Sequence, residues 1–190
     1  QLSGREDRVQ RTELQLGGFG GRGIISAGKI IGQAAAIYDK LEACFTQSYG
    51  PEARGGAAGS QVVISSEPIH YPNITEPGSA VIMSQGAYAK YAPLLASGGI
   101  LLVDNSLVEL PDDHRMDIKT HGIPATQAAE EFGNIRAANT VMLGFWASAV
   151  GAVSREAMQH SLSESVPPKT LDVNLKAFEY GYQEGLKIAK

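Results

Sequence analysis

One cysteine, Cys44, is all the thiol chemistry in this sequence of 190 residues. A lone thiol forms no disulfide within the chain, and an iron–sulfur cluster needs about four thiolates. Any cluster working with this protein is therefore held by another polypeptide. Cys44 lies in an apolar run and is expected to be a small buried hydrophobe rather than a reactive group. The chain also lacks any run of about 18 apolar residues, the length a membrane-spanning helix requires. It has no basic surplus: 16 Lys and Arg stand against 20 Asp and Glu, a net charge of −4. That balance gives no bulk reason to expect a nucleic-acid partner. The four histidines, His70, His114, His121 and His160, never fall three or four residues apart and have no cysteine beside them. They do not form a metal-ligand pattern. No G-x-S-x-G elbow is present, so no serine stands in a recognisable nucleophile context. The polar stretch Gln1–Arg11 has no apolar core of the kind a secretory signal needs. It reads as a disordered tail or a remnant of expression, followed by one domain over 12–190 in a cytoplasmic protein.

Against these absences stand 22 glycines, several of them clustered. The stretch Leu14–Ala27 reads as a short strand, a glycine turn and the start of a helix. Gly18, Gly20 and Gly23 fit G-x-G-x-x-G. Such a turn leaves backbone N–H groups at a helix N-terminus, where an anion is favoured. Three readings stay open for it: a dinucleotide site, a site for phosphate or another anion, and a turn that packs helix on sheet or meets a partner chain. A dinucleotide site calls for an acid at the end of the second strand, about 20 residues on. Here that strand ends Cys-Phe-Thr-Gln-Ser, and Asp39 and Glu42 precede it, at its wrong end. Arg22 favours the anion reading, because a guanidinium can grip a phosphate or carboxylate with two bonds.

Further along, strands are expected at Thr12–Leu16, Ala43–Thr46, Gln61–Ile64, Ala80–Ser84, Ile100–Asp104 and Met116–Ile123. The third of these is expected at an edge or antiparallel. Helices are expected from the glycine turn to about Tyr38, then at Gly86–Leu95 with Pro93 disturbing its end, and at Thr126–Phe132. A strongly apolar helix follows at Asn139–Val150, capped by Asn139 or Thr140. Another starts at Ser154 as its cap. The last runs from about Asp172 to Ile188 with Leu175, Phe178, Tyr182, Leu186 and Ala189 on one face. Strands alternating with helices predict an α/β fold, a Rossmann-like three-layer domain with a mainly parallel sheet and helices on both faces.

Two further stretches stand out. Ser48–Ser60 is long and glycine-rich for a connection. It carries Tyr49, Glu52 and Arg54 between glycines, and we read it as a binding or interface loop. Asp104 ends an apolar strand and is followed by Asn105 and Ser106, either as a functional acid or, in the preferred reading, as a turn former bonding its own backbone.

The glycine turn, the string Ser48-Tyr49-Gly50-Pro51-Glu52-Ala53-Arg54-Gly55-Gly56, and Ile64-Ser65-Ser66-Glu67-Pro68-Ile69 occur in that order. Met83-Ser84-Gln85, Gly98-Gly99-Ile100, Ile123-Pro124-Ala125-Thr126, Ala138-Asn139, Met142-Leu143-Gly144 and Asn174–Tyr182 follow them. Together, over about residues 12–185, they resemble the gamma subunit of the 2-oxoacid:ferredoxin oxidoreductases, the 2-oxoglutarate variety most. The resemblance implies a complex that decarboxylates a 2-oxoacid on thiamine diphosphate and Mg²⁺. It passes electrons through iron–sulfur clusters to ferredoxin and forms an acyl-CoA. It further implies alpha and beta partner subunits, a ferredoxin-like delta subunit where one exists, and self-association of the chain when isolated. This chain is expected to hold no cofactor alone and to have no catalytic residue of its own. Its surface toward coenzyme A or a partner is expected from Gly18, Phe19, Gly20, Gly21, Arg22 and Gly23 together with Tyr49, Glu52 and Arg54. The family commonly has Gly-Gly-Gln-Gly where this chain has Gly20-Gly21-Arg22-Gly23, and an acid near Gly78. A pyruvate, branched-chain oxoacid or indolepyruvate enzyme, and a free-standing dinucleotide-binding protein, are the alternatives.

Overall fold

A computed structural model describes residues 11–19, 23–48 and 57–189. Six strands form one sheet in the order β2-β3-β1-β4-β5-β6. They are β1 (Thr12–Phe19), β2 (Glu42–Ser48), β3 (Ala57–Ser65), β4 (Ser79–Ile82), β5 (Ile100–Asp104) and β6 (Lys119–Ile123). The pairs β1–β4, β4–β5 and β5–β6 are parallel. β3 lies antiparallel to both β1 and β2. The expected third strand is thus antiparallel but interior, and β2 takes the edge. That placement explains Cys44, which is half-buried rather than buried: its strand has a neighbour on one side only.

The helices are α1 (Ile24–Gln33), α2 (Gln85–Tyr91), α3 (Ala125–Glu131), α4 (Ala138–Val150), α5 (Arg155–Ser165) and α6 (Leu171–Ile188). α1 continues as a π-helical turn over Ala34–Tyr38, so the helical path ends where the spacing predicts. Ser154 caps α5, accepting from the Ala157 N–H at 3.1 Å. Asp39 fixes the same corner by accepting from the Ser154 N–H and Oγ, each at 2.6 Å. α2 stops at Tyr91, and a 3₁₀ turn holds Pro93.

The two faces of the sheet are covered unequally. Leu14, Leu16, Val62, Ile64, Val81 and Leu102 share one core with side chains of α1, α3, α4, α5 and α6. On the other face Ala80, Ile82, Leu101 and Val103 pack with Ala87 and Tyr91 of α2. α4 is buried nearly all round, as its apolar character requires. Trp146 on α4 reaches the sheet and donates Nε1–H to Ser79 Oγ at 3.1 Å.

α6 packs on the far side of α4, and its buried positions are Asn174, Ala177, Phe178, Gly181 and Gly185. This corrects the expected face, since Leu186 and Ala189 are exposed. Small residues decide the contact. A Cβ on Gly181 would strike the Val141 carbonyl and lie 2.9 Å from the Phe145 nitrogen. One on Gly144 would strike the Phe178 carbonyl. The two helix backbones touch, and only glycine permits it.

Candidate functional site

β1 and β4 are neighbours, but the helices that follow them go to opposite faces: α1 joins the larger core and α2 the smaller. In an open α/β sheet the crevice at such a switch point, beyond the strand C-termini, is where ligands bind. A cleft of about 390 Å³ lies there. Phe19, Gly23 and Ile24 line it from the β1–α1 connection, and Met83 from the end of β4. Leu107 and Thr126 line it from the segments after β5 and β6. Ile135, Arg136, Ala138 and Asn139 come from the α3–α4 connection and the first turn of α4. The walls mix apolar side chains with the polar groups of Thr126, Arg136 and Asn139, as a small-molecule site does.

The local geometry follows from the glycines. Gly23 is the N-cap of α1, with φ +81° and no capping side chain. It leaves the first N–H groups of that helix free of a side-chain cap, so they retain the capacity to bind an anion. A Cβ on Gly23 would also strike the Asn139 amide nitrogen, which donates to the Gly23 carbonyl at 3.4 Å. Asn139 is therefore not the cap of α4, as expected from the sequence, but the strut between α4 and the glycine turn. α4 instead runs on from a 3₁₀ turn over Ile135–Ala137, whose cap is Asn134. Gly18 does not line the cleft. It sits behind it, where a Cβ would lie 2.8 Å from Ile24 Cδ1 and 3.4 Å from Met83 Cβ. Phe19 is 41% exposed at the rim.

Gly20, Gly21 and Arg22 of the turn, and Tyr49, Glu52 and Arg54 of the glycine-rich loop, lie outside the described residues. The register does place the strand ends that flank 49–56 at this edge: Phe19 pairs with Ala57, and Ser48 with Gly59.

Asp104 is fully buried and its carboxylate is engaged. Oδ1 accepts from the Ser106 N–H at 3.0 Å. Oδ2 accepts from the Thr126 N–H at 3.1 Å and Thr126 Oγ1 at 2.5 Å. It is a turn former, as preferred, and it also ties β5 to the start of α3, which fixes one wall of the cleft. Asp39 is spent on holding Ser154, the cap of α5, at the end of the sheet away from the cleft. Among the described residues no group of three or more His, Cys, Asp and Glu side chains could hold a metal ion.

Arg136 is the residue that sequence reasoning missed. It is exposed, lines the cleft, and among the described residues its guanidinium has no hydrogen bond or ion pair. A single arginine in a short connection, residues 132–137, carries no periodic signal. Only the fold shows which way the connection faces.

The family model of the pyruvate ferredoxin/flavodoxin oxidoreductases matches residues 13–184, and the chain belongs to that family. It is 48% identical over 174 residues to the 2-oxoglutarate synthase subunit KorC of Methanocaldococcus jannaschii, covering 91% of this chain and 93% of that one. The crystal structure of a keto/oxoacid ferredoxin oxidoreductase gamma subunit from Geobacter sulfurreducens superposes with a TM-score of 0.84. It is 37% identical, with 95% of this chain and 99% of that one covered. The 2-oxoglutarate:ferredoxin oxidoreductase of Magnetococcus marinus, solved with 2-oxoglutarate, coenzyme A and succinyl-CoA bound, gives a TM-score of 0.85 at 27% identity. There the match covers 93% of this chain but 31% of the other. Within the family, the protein is a gamma-type subunit of a 2-oxoacid:ferredoxin oxidoreductase complex.

Proposed function

We propose that this chain is the gamma subunit of a 2-oxoglutarate:ferredoxin oxidoreductase, and that its cleft forms one wall of the coenzyme A site. The observation that carries the reading is the cleft itself. It stands at the switch point of the sheet, with a helix N-terminus that has no side-chain cap on one side and, at its lining, Arg136, unpaired among the described residues. Phosphates are the natural partners of both. The likeness to a 2-oxoglutarate synthase subunit supports the choice of oxoacid. The Magnetococcus enzyme, solved with coenzyme A, supports the choice of ligand.

In this reading Phe19, Gly20, Gly21, Arg22 and Gly23 shape the coenzyme A side of the cleft, and Gly18 packs behind them against Ile24 and Met83. Tyr49, Glu52 and Arg54 meet coenzyme A or a partner chain. Thiamine diphosphate, Mg²⁺ and the iron–sulfur clusters belong to alpha and beta subunits, with a ferredoxin-like delta subunit where present. One cysteine cannot ligate a cluster. Ferredoxin takes the electrons, and the complex works in the cytoplasm. Chemically, this chain binds and orients the thiol carrier while other chains do the bond-breaking.

The test is purification of the native complex followed by turnover with and without this subunit. We expect thiamine- and cluster-bearing chains to co-purify, and coenzyme A-dependent oxidation of 2-oxoglutarate in preference to pyruvate. Turnover by the isolated chain, or a preference for pyruvate, contradicts the reading. In the same complex, an Arg54→Ala variant with unchanged assembly and unchanged coenzyme A dependence removes the role given to that loop.

A further inference from the structure

We infer that Arg136 is the specificity residue of the cleft, and that it reads a terminal phosphate monoester: the ribose 3′-phosphate that distinguishes coenzyme A from dephospho-coenzyme A. The inference rests on the reading of the cleft as a coenzyme A site, and adds to it which part of the ligand is recognised and by what.

Three observations carry it. First, Arg136 is held in place by its backbone alone. Its N–H donates to Asn134 Oδ1 at 3.1 Å, the Ala137 N–H donates to the Asn134 carbonyl at 2.9 Å, and the Asn134 N–H donates to the Ala129 carbonyl at 3.0 Å. The turn is braced by these three hydrogen bonds, while the guanidinium it carries stays exposed and without a bond among the described residues. An arginine on such a support, with no acid paired to it among the described residues, remains available to a ligand. Second, the cleft is approached by positive character from two separate elements. The N-terminus of α1 enters from the β1–α1 connection, and Arg136 from the α3–α4 connection. Asn139 links the two by its bond to the Gly23 carbonyl, and Arg136 precedes it by one tight helical turn. Third, the two kinds of donor suit different phosphates. Backbone N–H groups at a helix end suit the bridged pyrophosphate. A planar guanidinium suits a monoester, which carries close to two negative charges and exposes three oxygens to a bidentate donor. A ligand with one phosphate group would use only one of these features. Coenzyme A carries both kinds.

The test compares coenzyme A with dephospho-coenzyme A as acceptor in the assembled complex, using the wild-type subunit, Arg136→Ala, Arg136→Lys and Ile135→Trp. Ile135 lines the same cleft but is 47% exposed, so the larger side chain narrows the cleft without entering the core. We expect Arg136→Ala to raise KM for coenzyme A by about 10- to 100-fold, the range for a lost charge-assisted bond. KM for dephospho-coenzyme A should move less than about twofold, and Arg136→Lys should restore part of the discrimination. If Ile135→Trp raises KM for both acceptors while Arg136→Ala leaves their ratio at the wild-type value, the cleft reading stands and the assignment of Arg136 is overturned. A wild-type enzyme that does not discriminate between the acceptors overturns it too. If neither Ile135→Trp nor Arg136→Ala moves either KM, the cleft is not the coenzyme A site, and both readings fall.

Discussion

Two sets of glycines do opposite work in this molecule. Gly144, Gly181 and Gly185 lie inside helices and are needed for the space they leave, because α4 and α6 meet backbone to backbone. Gly23 lies between a strand and a helix and is needed for its backbone angle, φ +81°, and for the room it gives Asn139. The first set holds the wall of the cleft in place; the second shapes the opening. Nothing about the residue type separates the two. What separates them is whether the colliding atom would be part of a second backbone, which cannot yield, or the end of a side chain, which can.

Substitutions sharpen this contrast. Gly181→Ala should have the largest effect, because its methyl group would overlap the Val141 carbonyl. We expect a loss of about 3 kcal/mol, at the top of the usual range for overpacking, read by urea unfolding of the chain. Gly23→Ala should cost less, about 1–2 kcal/mol for a left-handed alanine. Its main readout is functional, since a displaced Asn139 should raise KM for coenzyme A in the complex. Gly86→Ala reverses the sign. Gly86 lies in α2, and a Cβ there would meet nothing within 4 Å. Alanine should stabilise the chain by about 0.5 kcal/mol through helix propensity. If all three variants lose similar stability, the distinction between the two sets is wrong.

The smallest effect belongs to a group outside both sets. Asp117 accepts from Arg115 Nε at 2.9 Å and Nη2 at 2.5 Å. The Arg115 hydrogen bonds hold its carboxyl down at about 2, against an ordinary 3.8. A carboxylate with a depressed folded-state pKa contributes stability above its unfolded value, and loses it as pH falls through the folded one. Wild type and Asp117→Asn should therefore differ most above about pH 4 and converge toward about pH 2 in unfolding titrations. The pair is well exposed, so the difference should be slight.

Much of the fold was legible from local chemistry. The alternation of strands and helices, the Ser154 cap, the break at Pro93 and the buried run of α4 each have a signal within a few residues. The interior position of β3 has none, because pairing order is set by contacts far apart in the chain. Apart from Phe178, the large apolar residues of α6 do not mark its contact face. The spacing Ala177, Gly181, Gly185 was the available signal, small residues four apart on one helical stripe. At the site, the passage from strand to helix at the glycines was legible: β1 ends at Phe19, and α1 starts at Ile24 behind the left-handed Gly23. Asn139 has the residue type of a cap but serves as a strut to Gly23. Arg136 has no local signal, because the cleft it lines is completed by Gly23 and Ile24, more than a hundred residues away in the chain.

The cleft between Gly23 and the α3–α4 connection is the proposed resting place of coenzyme A in the assembled enzyme. Hydrogen–deuterium exchange of the intact complex, with and without coenzyme A, tests this most directly. We predict slowed exchange at the N–H groups of residues 24–26 and 135–139, with α2 and α6 unaffected. Slowed exchange confined to other subunits, with this chain unchanged throughout, would contradict it.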